Sequence, residues 1–468
     1  MSAPATQPQP ERPAGATKEL VRFAVRLRNE DLTDAERHAT RRHVLDTIGA
    51  CLAGSRGDAA QIAAGVLKDI VAPGQFSAPG MSGRFDILTA AYLAGASCHG
   101  IELDDGFRAG SLHPGTVVVP ALIAAAQDGQ HDGRRFMTAV AAGYEAQCRI
   151  GEAMHPRTRQ RGFHNTSIAG VFAAAVAVGT LRGLDERTLE QALGIAGSSA
   201  SGLFAFLHGG GEIKRLHPGH AAREGLFAVL LAERGMTGPT DVLESKDGFF
   251  AAYSSPDCQL KLSREAGKPG APLAITQCYL KPHACCRHLH SAIDGILALR
   301  RTHDLAIDDV KHVDIGTYAI AAEHAHTNWQ DMASAQMSFP FVASLAMTRG
   351  HVDLDDFSDA SRADHATAAG TAKVRIAVDP ECEAIYPRQR SARVVITARD
   401  GSRYDAMVRE PFGSNENPMS DAAVAAKFQG LAGRVLPQSK IDAIEATVAK
   451  LDTLASVGDL AKALAADA

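Results

Sequence analysis

Residues Ile87–Ala126 read ILTAAYLAGASCHGIELDDGFRAGSLHPGTVVVPALIAAA. The two ends, Ile87–Cys98 and Val117–Ala126, carry no charge and no strict apolar–polar alternation. They are rich in Ala, Gly and branched residues, so they read as buried helices, over Asp86–Leu103 and Thr116–Gln127. Between them, His99–Gly115 holds three carboxylates, two histidines and four glycines. A charged, glycine-jointed link between two core segments is where a scaffold presents reactive groups.

The same texture extends in both directions. Thr33-Asp34-Ala35-Glu36 is a capping box, and the helix it opens carries Val44, Leu45, Ile48 and Leu52 on one face. Further helices are predicted at Thr17–Leu27, Ala59–Val71, Gly133–Met154, Ser167–Arg182, Asp185–Ser198 and Pro218–Arg234. Gly162–Thr166 and Phe204–His217 are the main interruptions. Near Pro269–Pro272 the pattern changes. Val310–Ala319, Ala372–Val378 and, less strictly, Ala392–Ala398 alternate as half-buried strands do, while Cys286–Arg301 and Ala333–Thr348 look helical. Beyond Pro411 the chain is helical again. The expected fold class is therefore mainly α, with a large helical domain and a smaller α+β domain. The boundaries are a disordered tail at 1–15, helical residues 16–272, an α+β domain at 273–410, and C-terminal helices at 411–468.

Composition narrows the function. The 468 residues are 46% apolar, 22% charged and only 5% aromatic, with net charge −5. That length exceeds what one core usually serves, and small residues let helices approach closely. The acidic balance argues against a nucleic-acid partner. Ser167–Leu181 falls short of the ~20 residues a bilayer needs, so a buried core helix and no membrane partner are expected. Eight cysteines without a C-x-x-C and an N-terminus without an apolar run fit reduced thiols in the cytoplasm.

Four further clusters carry unusual side chains. Arg161–Ser167 places His164 before the most apolar helix, where a neutral imidazole can exchange protons near pH 7. His208–Gly219 has three successive glycines followed by Lys214 and Arg215, cations suited to a carboxylate or phosphate. Lys281–His290 brings Lys281, Arg287, His290 and two vicinal cysteines to one junction, in a spacing that matches no common zinc pattern. Glu323–His326 is given no role, although its two histidines would point the same way on a strand. Glu102, Asp104 and Asp105 are crowded enough to titrate abnormally. Nothing matches a P-loop, a G-x-G-x-x-G, a G-x-S-x-G or an H-E-x-x-H. This is equipment for proton transfer beside a carboxylate-bearing carbon: cations hold carboxylates, and histidine, lysine or a carboxylate moves the proton.

The motifs E-L-D-D…S-L-H-P-G-T-V-V-V-P-A, G-F-H-N-T-S-I-A-G-V-F, I-K-R-L-H-P-G-H-A-A-R-E-G and K-P-H-A-C-C-R-H-L-H-S-A-I-D resemble the MmgE/PrpD family, which includes 2-methylcitrate dehydratase, cis-aconitate decarboxylase and iminodisuccinate epimerase. The likeness runs over about Lys18–Gly458. It implies a helical domain built from both chain ends, an α+β lid, an active site between them, a homodimer, and no metal or other cofactor. It also implies that Glu102, His113, His164 and Lys214 are catalytic. Lys281 and His290, with Asp104, Arg287 and Arg215, would bind substrate. The sequence departs from the decarboxylase at Glu102, where that enzyme has aspartate, at Gly106, where it has a hydroxyl residue, and in a Gly106–Leu112 loop one residue longer. The E-L-D-D…H-P-G form also differs from the dedicated methylcitrate dehydratases. The implied function is a cofactor-independent, dehydratase-type lyase on a small di- or tricarboxylate. Its rivals are an epimerase of an amino- or imino-dicarboxylate, a cis-aconitate-type decarboxylase, and an inactive carboxylate-binding protein.

Overall fold

The computed structural model describes residues 15–209, 211–327 and 329–466. Of the predicted tail, residues 1–14 lie outside the described residues, as does Gly210 of the triple-glycine stretch.

The chain opens with α1 (Ala16–Arg26), α2 (Asp34–Gly54) and α3 (Asp58–Ile70). The capping box forms as expected: Glu36 N–H donates to Thr33, and Glu36 Oε2 accepts from Thr33 N at 2.8 Å. That same buried carboxylate also accepts from Leu273 N and Arg264, so a local cap ties down a segment more than 200 residues away. Then come α4 (Ile87–Cys98), α5 (Gly115–Ala125), α6 (Gly133–Met154), α7 (Gly170–Arg182), α8 (Glu186–Gly197) and α9 (Ile213–Glu233).

These helices pack as closely as their small residues allow. A Cβ on Gly95 of α4 would lie 2.7 Å from the Cα of Gly219 of α9, and one on Gly219 would lie 2.2 Å from the Tyr92 carbonyl oxygen. The stretch Asn165–Arg182 is long and apolar enough to cross a membrane by composition, yet 89% of it is buried inside the fold. Its helix is interrupted at Ala169.

Two predicted helix boundaries move. The helix expected over Asp86–Leu103 stops at Cys98, and His99–Pro114 forms a folded link instead. The helix expected from Pro218 starts five residues earlier, at Ile213, with Pro218 inside it. Proline at the sixth position removes one bond, to the Lys214 carbonyl, from a first turn and a half whose other N–H groups are largely unpaired anyway.

The α+β part is built on a four-stranded sheet of order β2-β1-β3-β4. The strands are β1 (Val310–Thr317), β2 (Val374–Val378), β3 (Ala392–Ala398) and β4 (Arg403–Val408). β1 pairs parallel with β2 (Val313 opposite Val374) and antiparallel with β3 (Ile315 opposite Val394); β3 pairs antiparallel with β4. The register shifts between Val310 and His312, which interrupts the alternation of β1. β3 alternates strictly, burying Ala392, Val394, Ile396 and Ala398. β4 was not predicted; its R-Y-D-A-M-V is an edge strand with no fully buried residue. α10 (His290–Thr302) lies on β3 and β4, where Gly295 leaves room for Val394. After the sheet come α11 (Asp421–Ala432) and α12 (Gln438–Ala449). Their Phe428, Ile441 and Ile444 share one apolar cluster with Leu20, Val44 and Val118 of the N-terminal helices, whereas Ile293, Ile315 and Val394 belong to a second cluster.

Candidate functional site

The link after α4 supplies the acids. Glu102 sits at φ 56°, a conformation non-glycine residues rarely hold, and strain of this kind concentrates at functional sites. It turns the carboxylate between two ammonium groups. Lys214, in the first turn of α9, donates to Glu102 Oε1; Lys281 lies 3.0 Å from Glu102 Oε2 and 3.4 Å from Asp104 Oδ1. The link is held from several sides. Gly106 pairs with Tyr279 through its N–H and carbonyl, at 3.0 and 2.8 Å. Lys427 of α11 donates to the Leu103 carbonyl and to Asp46, and Gln336 of the α+β part donates to the Ile101 carbonyl.

Asp104 organises two imidazoles. Its Oδ2 lies 3.0 Å from His99 Nδ1 and 2.7 Å from His113 Nδ1. His113 Nδ1 also meets the Asp105 carbonyl oxygen at 2.6 Å. Because these partners only accept, both Nδ1 atoms carry protons, and each Nε2 is the free nitrogen. Asp105 is turned away from this group: it accepts from His43, the Tyr144 hydroxyl and Gly115 N, all within 2.9 Å, and so anchors the link to α2, α5 and α6.

His164 closes the arrangement. Its Nδ1 lies 3.0 Å from His217 Nδ1, its ring stacks on His99 at 5.8 Å, and Phe204 and Phe206 meet it edge-on. The segment that carries it docks on the link, with Asn165 donating to the Gly110 carbonyl and Thr166 accepting from His113 N.

Electrostatics sort these groups. Burial pushes His164 well below the ordinary histidine range, and His99, His217 and Lys214 push the same way. Burial likewise takes His99 and His217 down to about 4, in His99 against the pull of Asp104. Burial alone would raise Glu102 and Asp104. For Glu102 the two lysines outweigh it, and for Asp104 Lys281 and the imidazoles do, so both carboxyls are held well below their usual range. Lys281 is held up in turn, its burial overcome by Asp104 and Glu102. The outcome is neutral His99, His164 and His217 beside ionised Glu102 and Asp104 and the Lys281 ammonium. Lys214 and His113 are the members with open space, each side chain 16% exposed.

The remaining predicted residues lie differently. His290 uses both ring nitrogens, Nδ1 with Arg287 at 3.0 Å and Nε2 with the Cys285 carbonyl. Arg287 spends its guanidinium on that ring, the carbonyls of Pro411 and Phe412, and Ser414. These contacts hold the chain and occupy both ring nitrogens of His290 and both terminal nitrogens of Arg287. Arg215 pairs with Glu212 at 2.9 Å, outside the cluster. The sequence reading assigned no site role to His99 or His217; Cys286, one of the two vicinal cysteines, has its Sγ 3.9 Å from His324 Nε2. His324 follows a short helix and not a strand, so the condition under which it and His326 would point the same way is not met. His99 was visible in the opening stretch, and His217 follows Lys214 by one helical turn.

His99, Asp104 and His113 offer ligand atoms within 4.8 Å of one another, the set among the described residues that could hold a metal ion. Asp104 there already faces the Lys281 ammonium, which opposes a second cation. All eight cysteines are free and buried.

A helical body whose first half supplies acids, imidazoles and a lysine, joined by a lysine at the entrance to an α+β part, defines a class. Residues 18–261 match the MmgE/PrpD N-terminal domain and residues 283–453 the MmgE/PrpD C-terminal domain, so the chain belongs to the MmgE/PrpD family. Among individual proteins it is similar to the cis-aconitate decarboxylase-like protein oryM of Aspergillus oryzae, with 29% identity over 95% of this chain and 96% of that one. It is 26% identical to the cis-aconitate decarboxylase of Aspergillus terreus over 96% of each chain. With the mouse cis-aconitate decarboxylase it shares 24% identity over 80% of this chain and 78% of that one.

Proposed function

We propose that this protein is a lyase of the dehydratase type, acting on a small di- or tricarboxylate with its own side chains. The observation that carries this reading is the neutral, desolvated His164 within one cluster with a protonated lysine pair and the Asp104–His113 couple. His164 takes the proton from the carbon next to a substrate carboxylate. Lys214, at the rim, faces that carboxylate and balances the charge that builds on it as the proton leaves. Glu102 keeps the Lys214 ammonium in place. His113 gives its Nε2 proton to the departing hydroxyl, and Asp104 balances the imidazolium that serves as donor. Lys281, fully buried, acts through Glu102 and Asp104.

A second reading is decarboxylation, favoured by the names of the relatives that match nearly the whole chain. The same cluster serves it: the carbanion arises by loss of carbon dioxide, and an imidazole supplies a proton. Proton NMR in D2O with citrate, methylcitrate, cis-aconitate and iminodisuccinate separates the possibilities. Elimination yields an alkene from a saturated substrate, decarboxylation removes a carboxylate, and epimerisation exchanges the α proton without either. His164→Ala and Lys214→Ala should each reduce turnover of the substrate found by roughly 10²–10⁴-fold. Unchanged turnover in both would show that the cluster is not the reaction centre.

A further inference from the structure

Arg390, two residues before β3 in the α+β part, is 7% exposed. Among the described residues no carboxylate lies within ion-pair distance of it, although thirty-odd other cations and imidazoles in the fold have one. Its Nε is buried without a hydrogen-bond partner. A buried guanidinium without a counter-charge is costly, and its neighbours here are phenols: Tyr279, whose ring centre lies 5.8 Å from the guanidinium carbon, with Tyr318 and Tyr386 close enough to act on its charge.

Arg390 lines a small hollow with Arg108, Arg287, Tyr279, Ser414 and Glu416, with space of about 20 Å³. That is room for about one water-sized polar group inside its mouth. The other two guanidiniums are already spent, Arg108 on Glu410 and Glu416, and Arg287 on carbonyls and Ser414. Of the three, Arg390 is the one with a buried Nε that has no partner.

The hollow adjoins the catalytic cluster through Tyr279. Tyr279 is two residues before Lys281, about 7 Å along extended backbone, and is close enough to influence the Lys281 ammonium. Its hydroxyl lies over Gly106, where a Cβ would come within 2.3 Å of it. The missing side chain at Gly106 is thus what admits the Tyr279 hydroxyl beside the acids of the link.

We infer that Arg390 and the Tyr279 hydroxyl form an anion subsite that receives the substrate carboxylate remote from the reacting carbon. This deepens the reading of the cluster as a polycarboxylate site and rests on it. The substrate class is then a polycarboxylate whose far carboxylate reaches a hollow about two residues' length from Lys281, and Gly106 with Tyr279 sets which substrates fit.

The test is calorimetric titration of the full chain with tricarballylate, a tricarboxylate that has no hydroxyl to eliminate. Arg390→Gln should weaken binding roughly ten- to a hundredfold and Tyr279→Phe severalfold. Arg108→Gln, on the rim of the same hollow but already paired, should stay within twofold of wild type. Thermal melts accompany each variant. If Arg390→Gln lowers the melting temperature but binds tricarballylate as wild type does, Arg390 is structural and the subsite is overturned while the catalytic cluster stands. If wild type binds no tricarballylate, the polycarboxylate reading falls, and the subsite with it. Should Arg390→Gln fail to fold, Tyr279→Phe decides: unchanged affinity overturns the subsite, and a severalfold loss supports it.

Discussion

Replacing Lys281 by Met removes one ammonium from the centre of the site and keeps its volume. The side chain is fully buried, 3.0 Å from Glu102 and 3.4 Å from Asp104. Breaking a buried pair by deleting one partner costs about 3–5 kcal/mol, because a charge is left uncompensated. Here Glu102 keeps the Lys214 ammonium, and Asp104 keeps its hydrogen bonds from the His99 and His113 rings, which places the expected loss near the lower end, about 3 kcal/mol at neutral pH. Against a total stability of roughly 5–15 kcal/mol, that is a large fraction. The pH dependence identifies the cause. In wild type Glu102 and Asp104 titrate below their unfolded values, so their contribution is present above the ordinary carboxylate range and is lost as pH falls through the folded values. Lys281 titrates above its unfolded value, so its contribution is present below about 10.5 and is lost only above that. Between pH 5 and 8 the wild-type contribution is therefore flat. Without the ammonium, burial raises the carboxyls, and ionising them opposes folding. The deficit of Lys281→Met should grow from pH 5 to pH 8. Urea unfolding followed by far-UV circular dichroism at both pH values measures it. A variant as stable as wild type, or a deficit equal at both pH values, would refute the claim that buried ion pairing with Glu102 and Asp104 is the role of Lys281.

Gly95→Val drives a side chain into the backbone of α9 at Gly219, and a loss of roughly 1–3 kcal/mol or more is expected in thermal melts. Gly65→Ala, in exposed α3 with nothing within 4 Å of the new methyl, should instead gain about 0.5–1 kcal/mol in the same assay. The acid limb of kcat/KM should fall below the ordinary histidine range near 6.5: burial holds His164 well below it and takes its partner His217 to about 4, so the basic form survives until pH falls through those lowered values. A limb centred at 6.5 would show that a different group is the base.

The apolar segments on either side of the link made the helical body legible, because an uncharged run of small residues has few ways to be folded except buried. The boundaries were less so. Pro218 suggested a loop up to His217, and that reading separated Lys214 from the residue one turn after it. Once Ile213 is seen to start the helix, Lys214 and His217 share a face, and the pair that meets Glu102 and His164 is explained by helical spacing. Arg287 and His290 show the converse. Their spacing of three does bring them into contact, but side-chain identity could not reveal that carbonyls at Pro411 and Phe412 would use up the guanidinium.

What local pattern cannot hold is partnership across the chain. Glu102 finds Lys214 112 residues later and Lys281 179 residues later, and only the packing of α4 against α9 and the pairing of Gly106 with Tyr279 bring them together. Glycine is the common cause in both. Gly95 and Gly219 let two helices touch by their backbones, which sets the depth of Lys214 relative to the link; Gly106 lets the Tyr279 hydroxyl enter, which sets the position of Lys281 two residues on. A glycine in the sequence marks where something comes close, and only the fold says what. The residues with the plainest sequence signal, the acids and histidines of the link, therefore depend for their chemistry on residues with almost none.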